Sequence, residues 1–193
     1  MTLPEGSRFA VLASGSGTNL QALLDAYPEN VAVVAGDKKD AFAFERARRA
    51  GVPVEFLDPE SFDNRKDFDR KLAERISAHG NDIPLVVGAG YMRILSKAFL
   101  EHFPAVLNVH PSLLPEFRGL GAVGQAMEAG VSETGVSVHF MVEAVDAGPV
   151  VARERVPIHP GDTKEKIMER LRPIEHKLLV VAVADYFWGR IQV

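Results

Sequence analysis

The sequence has 193 residues, a size that suits one domain, 1–193, with a well-buried core. Its 47% hydrophobic and 25% charged residues are ordinary for a globular protein, and a net charge of −4 argues against nucleic acid as a partner while leaving room for a local phosphate pocket. Cysteine is absent, which excludes disulfides, thiolate catalysis and cysteine-based metal sites. No signal-peptide pattern opens the sequence, and no apolar run nears the ~20 residues of a membrane span, so a cytoplasmic protein without a membrane partner is expected.

Short valine-rich runs, apolar on both faces, alternate with amphipathic stretches. The runs Phe9 to Ala13, Val31 to Ala35, Val54 to Leu57, Leu85 to Gly88 and Val106 to Val109 read as strands of a covered parallel sheet. Helical patterns fall between them at Asn19 to Ala26, Ala41 to Ala50, Arg65 to Ala78 and Ser96 to His102. The rhythm changes after Pro111. Thr134 to Val142 and Val150 to Val156 are separated by the turn Asp146-Ala147-Gly148-Pro149 and can pair as an antiparallel hairpin. Asp162 or Thr163 can then cap a final helix running towards Trp188, with Pro173 expected to interrupt or kink it. The fold expected is α/β: doubly wound, Rossmann-type, mostly parallel, with an antiparallel hairpin after the fifth strand and a C-terminal helix. Ligands in such a fold bind outside the carboxyl ends of the strands.

Ser14-Gly15-Ser16-Gly17-Thr18-Asn19 follows the first strand and opens the first helix. Glycines permit a tight turn, and the helix start offers unpaired N–H groups to a phosphate. Leu20 stands where the dinucleotide fingerprint needs its third glycine, so a mononucleotide phosphate suits the loop better than NAD. A tight turn without a ligand is the simpler alternative.

Asn108 and His110 end the fifth strand two positions apart, which puts both side chains on one face where ligands bind. Asparagine offers a neutral donor to a developing oxyanion, and histidine donates a hydrogen bond or carries a proton. Asp146, in the later turn, is a candidate to orient the imidazole. The plainer alternatives are a structural histidine and a turn-forming aspartate.

Asn-Val-His-Pro-Ser-Leu-Leu-Pro at 108–115, Thr-Gly-Val-Ser-Val-His-Phe at 134–140 and Asp-Ala-Gly-Pro at 146–149 resemble the folate-dependent formyltransferases. With Ser-Gly-Ser-Gly-Thr-Asn at 14–19 and Gly-Tyr-Met-Arg-Ile-Leu at 90–95, the likeness is to the branch that formylates glycinamide ribonucleotide in purine (IMP) biosynthesis. It covers nearly the whole chain.

The resemblance implies a catalytic trio of Asn108, His110 and Asp146. It implies a ribonucleotide site at Gly17, Thr18, Asn19 and Glu175, and a folate site at Arg65, Met92, Arg93, Ile94, Leu95, Asn108, Val142, Glu143, Ala144, Val145 and Asp146. The co-substrate implied is 10-formyltetrahydrofolate, with no metal, and a cis peptide is implied at Leu114–Pro115. The substrate amine would attack the formyl carbon, and Asn108 and a charged His110 would stabilise the tetrahedral oxyanion, assisted by Asp146. A homodimer is compatible with the sequence. Gly121, Val123 and Gly124 stand where relatives often carry histidines and arginine, and the glycines at 119–124 predict a mobile loop.

The nearest rivals are other formyl-folate enzymes: a hydrolase, which usually carries an additional N-terminal domain, a sugar-nucleotide formyltransferase, or the methionyl-tRNA formyltransferase, which usually carries an additional C-terminal one. A non-catalytic nucleotide-binding module is the rival from another class, and the intact trio argues against it. His139 lies in an alternating strand and reads first as a structural histidine. His79, His102 and His159 read as solvated, without zinc-motif spacing, and Tyr186-Phe187-Trp188 reads as packing.

Overall fold

Valine-rich runs become the strands of one seven-stranded sheet in the computed structural model, which describes residues 2–80 and 82–192. The strands are β1 (Phe9–Leu12), β2 (Val31–Gly36), β3 (Val54–Phe56), β4 (Leu85–Gly88), β5 (Ala105–His110), β6 (Glu133–Phe140) and β7 (Val150–Pro157). Their spatial order is β3-β2-β1-β4-β5-β6-β7. The first five pair in parallel, and β6 and β7 are antiparallel to their neighbours. The helices are α1 (Thr18–Ala26), α2 (Phe42–Arg49), α3 (Arg65–Ser77), α4 (Lys97–Leu100), α5 (Ala122–Glu128) and α6 (Lys164–Phe187).

Successive strand residues point to opposite faces, and each face is covered. Phe9 and Val11 pack with Leu20 and Leu23 of α1, Phe44 of α2 and Leu171 and Leu179 of α6. Ala10 and Leu12 pack on the other side with Phe68, Leu72 and Ile76 of α3 and Phe99 of α4. The burial of β1, β2 and β4 along their whole length follows from this double cover. Side-chain caps set two helix starts: Asn64 accepts from the Asp67 N–H, and Thr163 from that of Lys166.

The expected topology is present, and several boundaries differ. β3 is not a central strand: it lies at the sheet edge with its residues half-buried or exposed, which accommodates the charged Glu55. α4 is a single turn that stops at Leu100, and exposed His102 lies in the turn beyond it. Residues 141–149 form a nine-residue excursion between β6 and β7 rather than a tight turn, and Asp146 within it has φ 47°. The glycine-rich stretch is partly ordered as helix, because α5 starts at Ala122 after Gly121, whose φ of 75° provides a left-handed start. α6 runs through Pro173 without interruption. Pro173 and Glu169 are both exposed, so water can take the carbonyl that proline leaves unpaired. Thr163, not Asp162, is its cap; Asp162 instead accepts from the His159 N–H and pairs with Arg170.

Among the described residues no helix is long and apolar enough to cross a membrane.

Candidate functional site

β5 carries Asn108 and His110 to the carboxyl end of the sheet, and β6 runs beside it so that His139 faces Asn108 directly. Asp146 reaches the same point from the excursion after β6. His110 Nδ1 lies 3.3 Å from Asp146 Oδ2, and His139 Nε2 lies 3.4 Å from Asp146 Oδ1. Asn108 Nδ2 is 3.3 Å from His139 Nε2. His110 and His139 are buried and Asp146 is largely so, which keeps water from screening these pairs.

The partners constrain the protons. His110 Nε2 donates to the Phe117 carbonyl at 2.9 Å, and a carbonyl can only accept. Nδ1 faces the Asp146 carboxylate. His139 Nδ1 donates to the Phe140 carbonyl, and Nε2 lies between two alternative partners: carrying a hydrogen it donates to Asp146, and without one it accepts from Asn108. Burial works against charge on Asp146, but hydrogen bonds from His139 and the Gly119 N–H, with nearby His110, hold its carboxyl below the usual range.

The loop after β5 is stitched into place by hydroxyls. Ser137 of β6 donates to the Ser112 carbonyl at 2.7 Å and accepts from the Leu114 N–H at 3.0 Å. The Leu114–Pro115 peptide is cis, as the resemblance implies, and Phe117 sits at φ 52°, with its carbonyl towards His110. On the neighbouring strand, Gly88 leaves room for the Asn108 carboxamide: a Cβ there would lie 2.7 Å from Asn108 Oδ1.

A cavity of about 550 Å³ opens beside this cluster. Met92, Arg93, Ile94 and Leu95 form one wall, Val142, Val145 and Asp146 another, and Asn108, His110 and His139 line it as well. The volume lies in the range usual for small-molecule sites, and a largely apolar lining with a few converging polar groups is the expected chemistry. Arg65, Glu143 and Ala144 do not line the cavity: Arg65 opens α3, and all three are exposed.

The glycine loop forms a second feature. Gly17 starts α1 at φ 72°, and a Cβ would meet Ala43 Cα at 2.7 Å, so both conformation and space call for glycine. No side chain caps α1, which leaves its first N–H groups for a ligand. Asn19 Nδ2 lies 3.4 Å from Glu175 Oε2 of α6, and Asn19 Oδ1 is buried without a partner. Gly17, Thr18, Asn19 and Glu175 are thus brought together although 156 residues separate Asn19 from Glu175. Burial pushes the Glu175 carboxyl above its ordinary value, opposed by Asn19 and Arg172.

Sequence reasoning did not place His139 in this cluster, where it lies 3.3 Å from Asn108 Nδ2 and 3.4 Å from Asp146 Oδ1. Its signal is the antiparallel register, and alternation within one strand does not reveal that. Among the described residues no group of histidine, aspartate and glutamate side chains is arranged to hold a metal ion.

The formyl transferase family matches residues 7–183. The chain is 42% identical over 188 residues to phosphoribosylglycinamide formyltransferase of Escherichia coli (strain K12), covering 94% of this chain and 88% of that protein. It is 40% identical over 186 residues to the trifunctional purine biosynthetic protein adenosine-3 of Bos taurus, covering 93% of this chain and 18% of that longer protein. A solved structure, glycinamide ribonucleotide transformylase 1 from Symbiobacterium toebii, superposes with a TM-score of 0.94 at 44% identity, over 100% of this chain and 94% of that one.

Proposed function

The chain belongs to the formyl transferase family, as an enzyme akin to the phosphoribosylglycinamide formyltransferases, and on that premise we propose its reaction. It moves the formyl group of 10-formyltetrahydrofolate to the amine of N1-(5-phospho-D-ribosyl)glycinamide, giving the N2-formyl product and tetrahydrofolate in cytoplasmic de novo purine biosynthesis. Residues 1–193 act as one formyltransferase domain. The observation that carries the reading is the meeting of Asn108, His110 and Asp146 on the wall of a ligand-sized cavity.

The cavity suits a folate. Met92, Ile94, Leu95, Val142 and Val145 offer apolar surface to a flat ring, and the polar cluster stands at one side. The folate, when bound, supplies the electrophilic formyl carbon. Gly17, Thr18 and Asn19 hold the phosphate of the ribonucleotide at the start of α1, and Glu175 holds its polar body. The glycine amine attacks the formyl carbon and forms the new N–C bond. The bond to the folate nitrogen breaks with its electron pair left on that nitrogen, which takes up the proton released by the amine.

Asn108 Nδ2 and the charged His110 ring donate to the formyl oxygen as negative charge develops on it. The Phe117 carbonyl, which accepts from His110 Nε2, marks an acceptor position that the formyl oxygen would take over. Asp146 keeps the ring charged and oriented, and His139 steadies both Asp146 and Asn108. Holding two substrates side by side adds an orientation advantage of several kcal/mol, on the order of the ~7–11 kcal/mol upper range for ideal alignment.

Absorbance of the folate product tests the proposal. With a 10-formyl folate supplied, deformylation is expected only when glycinamide ribonucleotide is present. An equal rate without the ribonucleotide would make the enzyme a hydrolase instead.

A further inference from the structure

The phosphate loop and the cavity wall leave adjacent strands, β1 and β4, on either side of the point where the strand order reverses. Ser14 spans that gap. Its N–H donates to the Gly90 carbonyl at 3.1 Å, and its Oγ accepts from the Met92 N–H at 3.1 Å. The same Oγ donates to Asp37 Oδ1 at 2.6 Å, just beyond the end of β2, where Asp37 is only 5% exposed. A serine hydroxyl has one hydrogen. Committing it to a carboxylate turns the oxygen lone pairs towards Met92, and a charge-assisted bond holds that orientation firmly.

The loop is tied on its other flank to α2, where the Gly15 carbonyl accepts from the Ala43 N–H and the Ser16 carbonyl from Arg46. The far end of the cavity wall is tied to α3, where Asp69 Oδ2 accepts from the Ser96 N–H at 2.6 Å. Met92 to Leu95 therefore hang between two carboxylate-anchored points, and one of those anchors is a residue of the phosphate loop. Ser14 does not line the cavity, so any effect it has on a ligand there passes through Met92.

We infer that Ser14, oriented by Asp37, is a positioning residue that couples the two substrate sites. Ordering of the glycine loop by the ribonucleotide phosphate is transmitted through Ser14 Oγ to the Met92 backbone, and so to the wall that receives the folate. The inference rests on the formyl-transfer reading above. Linkage makes the coupling reciprocal: each ligand tightens the other by the same factor.

Calorimetry with glycinamide ribonucleotide and tetrahydrofolate tests it, since this pair carries no formyl group and cannot react. In the unaltered protein, saturating ribonucleotide is expected to tighten tetrahydrofolate binding about fivefold or more, a usual size for coupled sites. Ser14→Ala brings that ratio close to about one, and Ser14→Thr, which keeps the hydroxyl, restores most of it. Asp37→Asn, measured alongside, lowers the ratio in the same direction without removing the serine. Weakening of both ligands with an unchanged ratio would reduce Ser14 to a structural residue and overturn the inference, as would an unaltered protein whose ratio is already about one. Failure of the unaltered protein to bind either ligand would overturn the formyl-transfer reading, and the coupling with it.

Discussion

The two sides of the sheet build their sites in different ways. On the parallel side, the glycine loop is contiguous: β1, five residues of loop and the start of α1, with the fit fixed by one glycine at φ 72°. On the antiparallel side, the polar cluster draws Asn108 and His110 from β5, His139 from β6 and Asp146 from the excursion behind it. The first is local and set by backbone. The second is long-range and set by a register, so its geometry depends on many side chains agreeing. Ribonucleotide binding is accordingly proposed for the parallel side, and the chemistry, with part of the folate wall, for the antiparallel side.

That division predicts different kinetic signatures. His110→Ala should lower kcat by about 10²–10³-fold, the range for a lost oxyanion donor, while calorimetry finds both ligands still bound. Near-normal turnover would break the assignment. Gly88→Ala sharpens it, because the added Cβ pushes on the Asn108 carboxamide without touching its chemistry. A kcat loss of about tenfold is expected, below the ~100-fold that a displacement of ~1 Å can produce. An unchanged kcat would mean that the position of Asn108 is not critical.

On the parallel side, Gly17→Ala should raise the KM for the ribonucleotide far more than it alters kcat. Its left-handed φ alone should remove about 1–2 kcal/mol of stability, measured by denaturant melts, before the contact with Ala43 is added. A selective kcat defect would contradict the division of labour. The smallest effect concerns Glu175. Burial raises its folded carboxyl pKa, so the proton is held more tightly in the folded state. The stabilising contribution is full below the unfolded value of about 4.3 and is lost as pH rises through the raised folded value. Glu175→Gln should therefore match the unaltered protein in stability near pH ~4 and exceed it near pH ~7.5. Equal stability at both pH values would remove the case for a strained carboxylate beside Asn19.

Asp146 has the opposite sign. Its folded pKa is depressed, so its contribution is present above the unfolded value of about 3.9 and is lost as pH falls through the lower folded one. Asp146→Asn should therefore lessen the fall in stability, measured by denaturant melts, as pH drops below about 3.9.

The parallel side was the more legible in the sequence for a physical reason. Double-faced apolar runs and the glycine loop state their structure within a few residues, and β1, β2 and β4 lie where those runs do. Asn108 and His110 were legible as a pair because strand period alone aligns them. His139 was not, because only pairing across β5 and β6 turns it towards Asn108. The length of the 141–149 excursion and the helix at Ala122 were also hidden, since both depend on packing after the glycines rather than on local pattern. Pro173 misled in the other direction: its helix runs on, and both Pro173 and Glu169 are exposed there, so water can take the carbonyl left unpaired.

Carbon-13 in the formyl group is the most direct probe of the central claim. In a single turnover with labelled 10-formyltetrahydrofolate and glycinamide ribonucleotide, the account predicts that the label appears in an amide of the ribonucleotide, at a rate that collapses in His110→Ala. Label released as free formate, or transfer that persists undiminished in that variant, would contradict it.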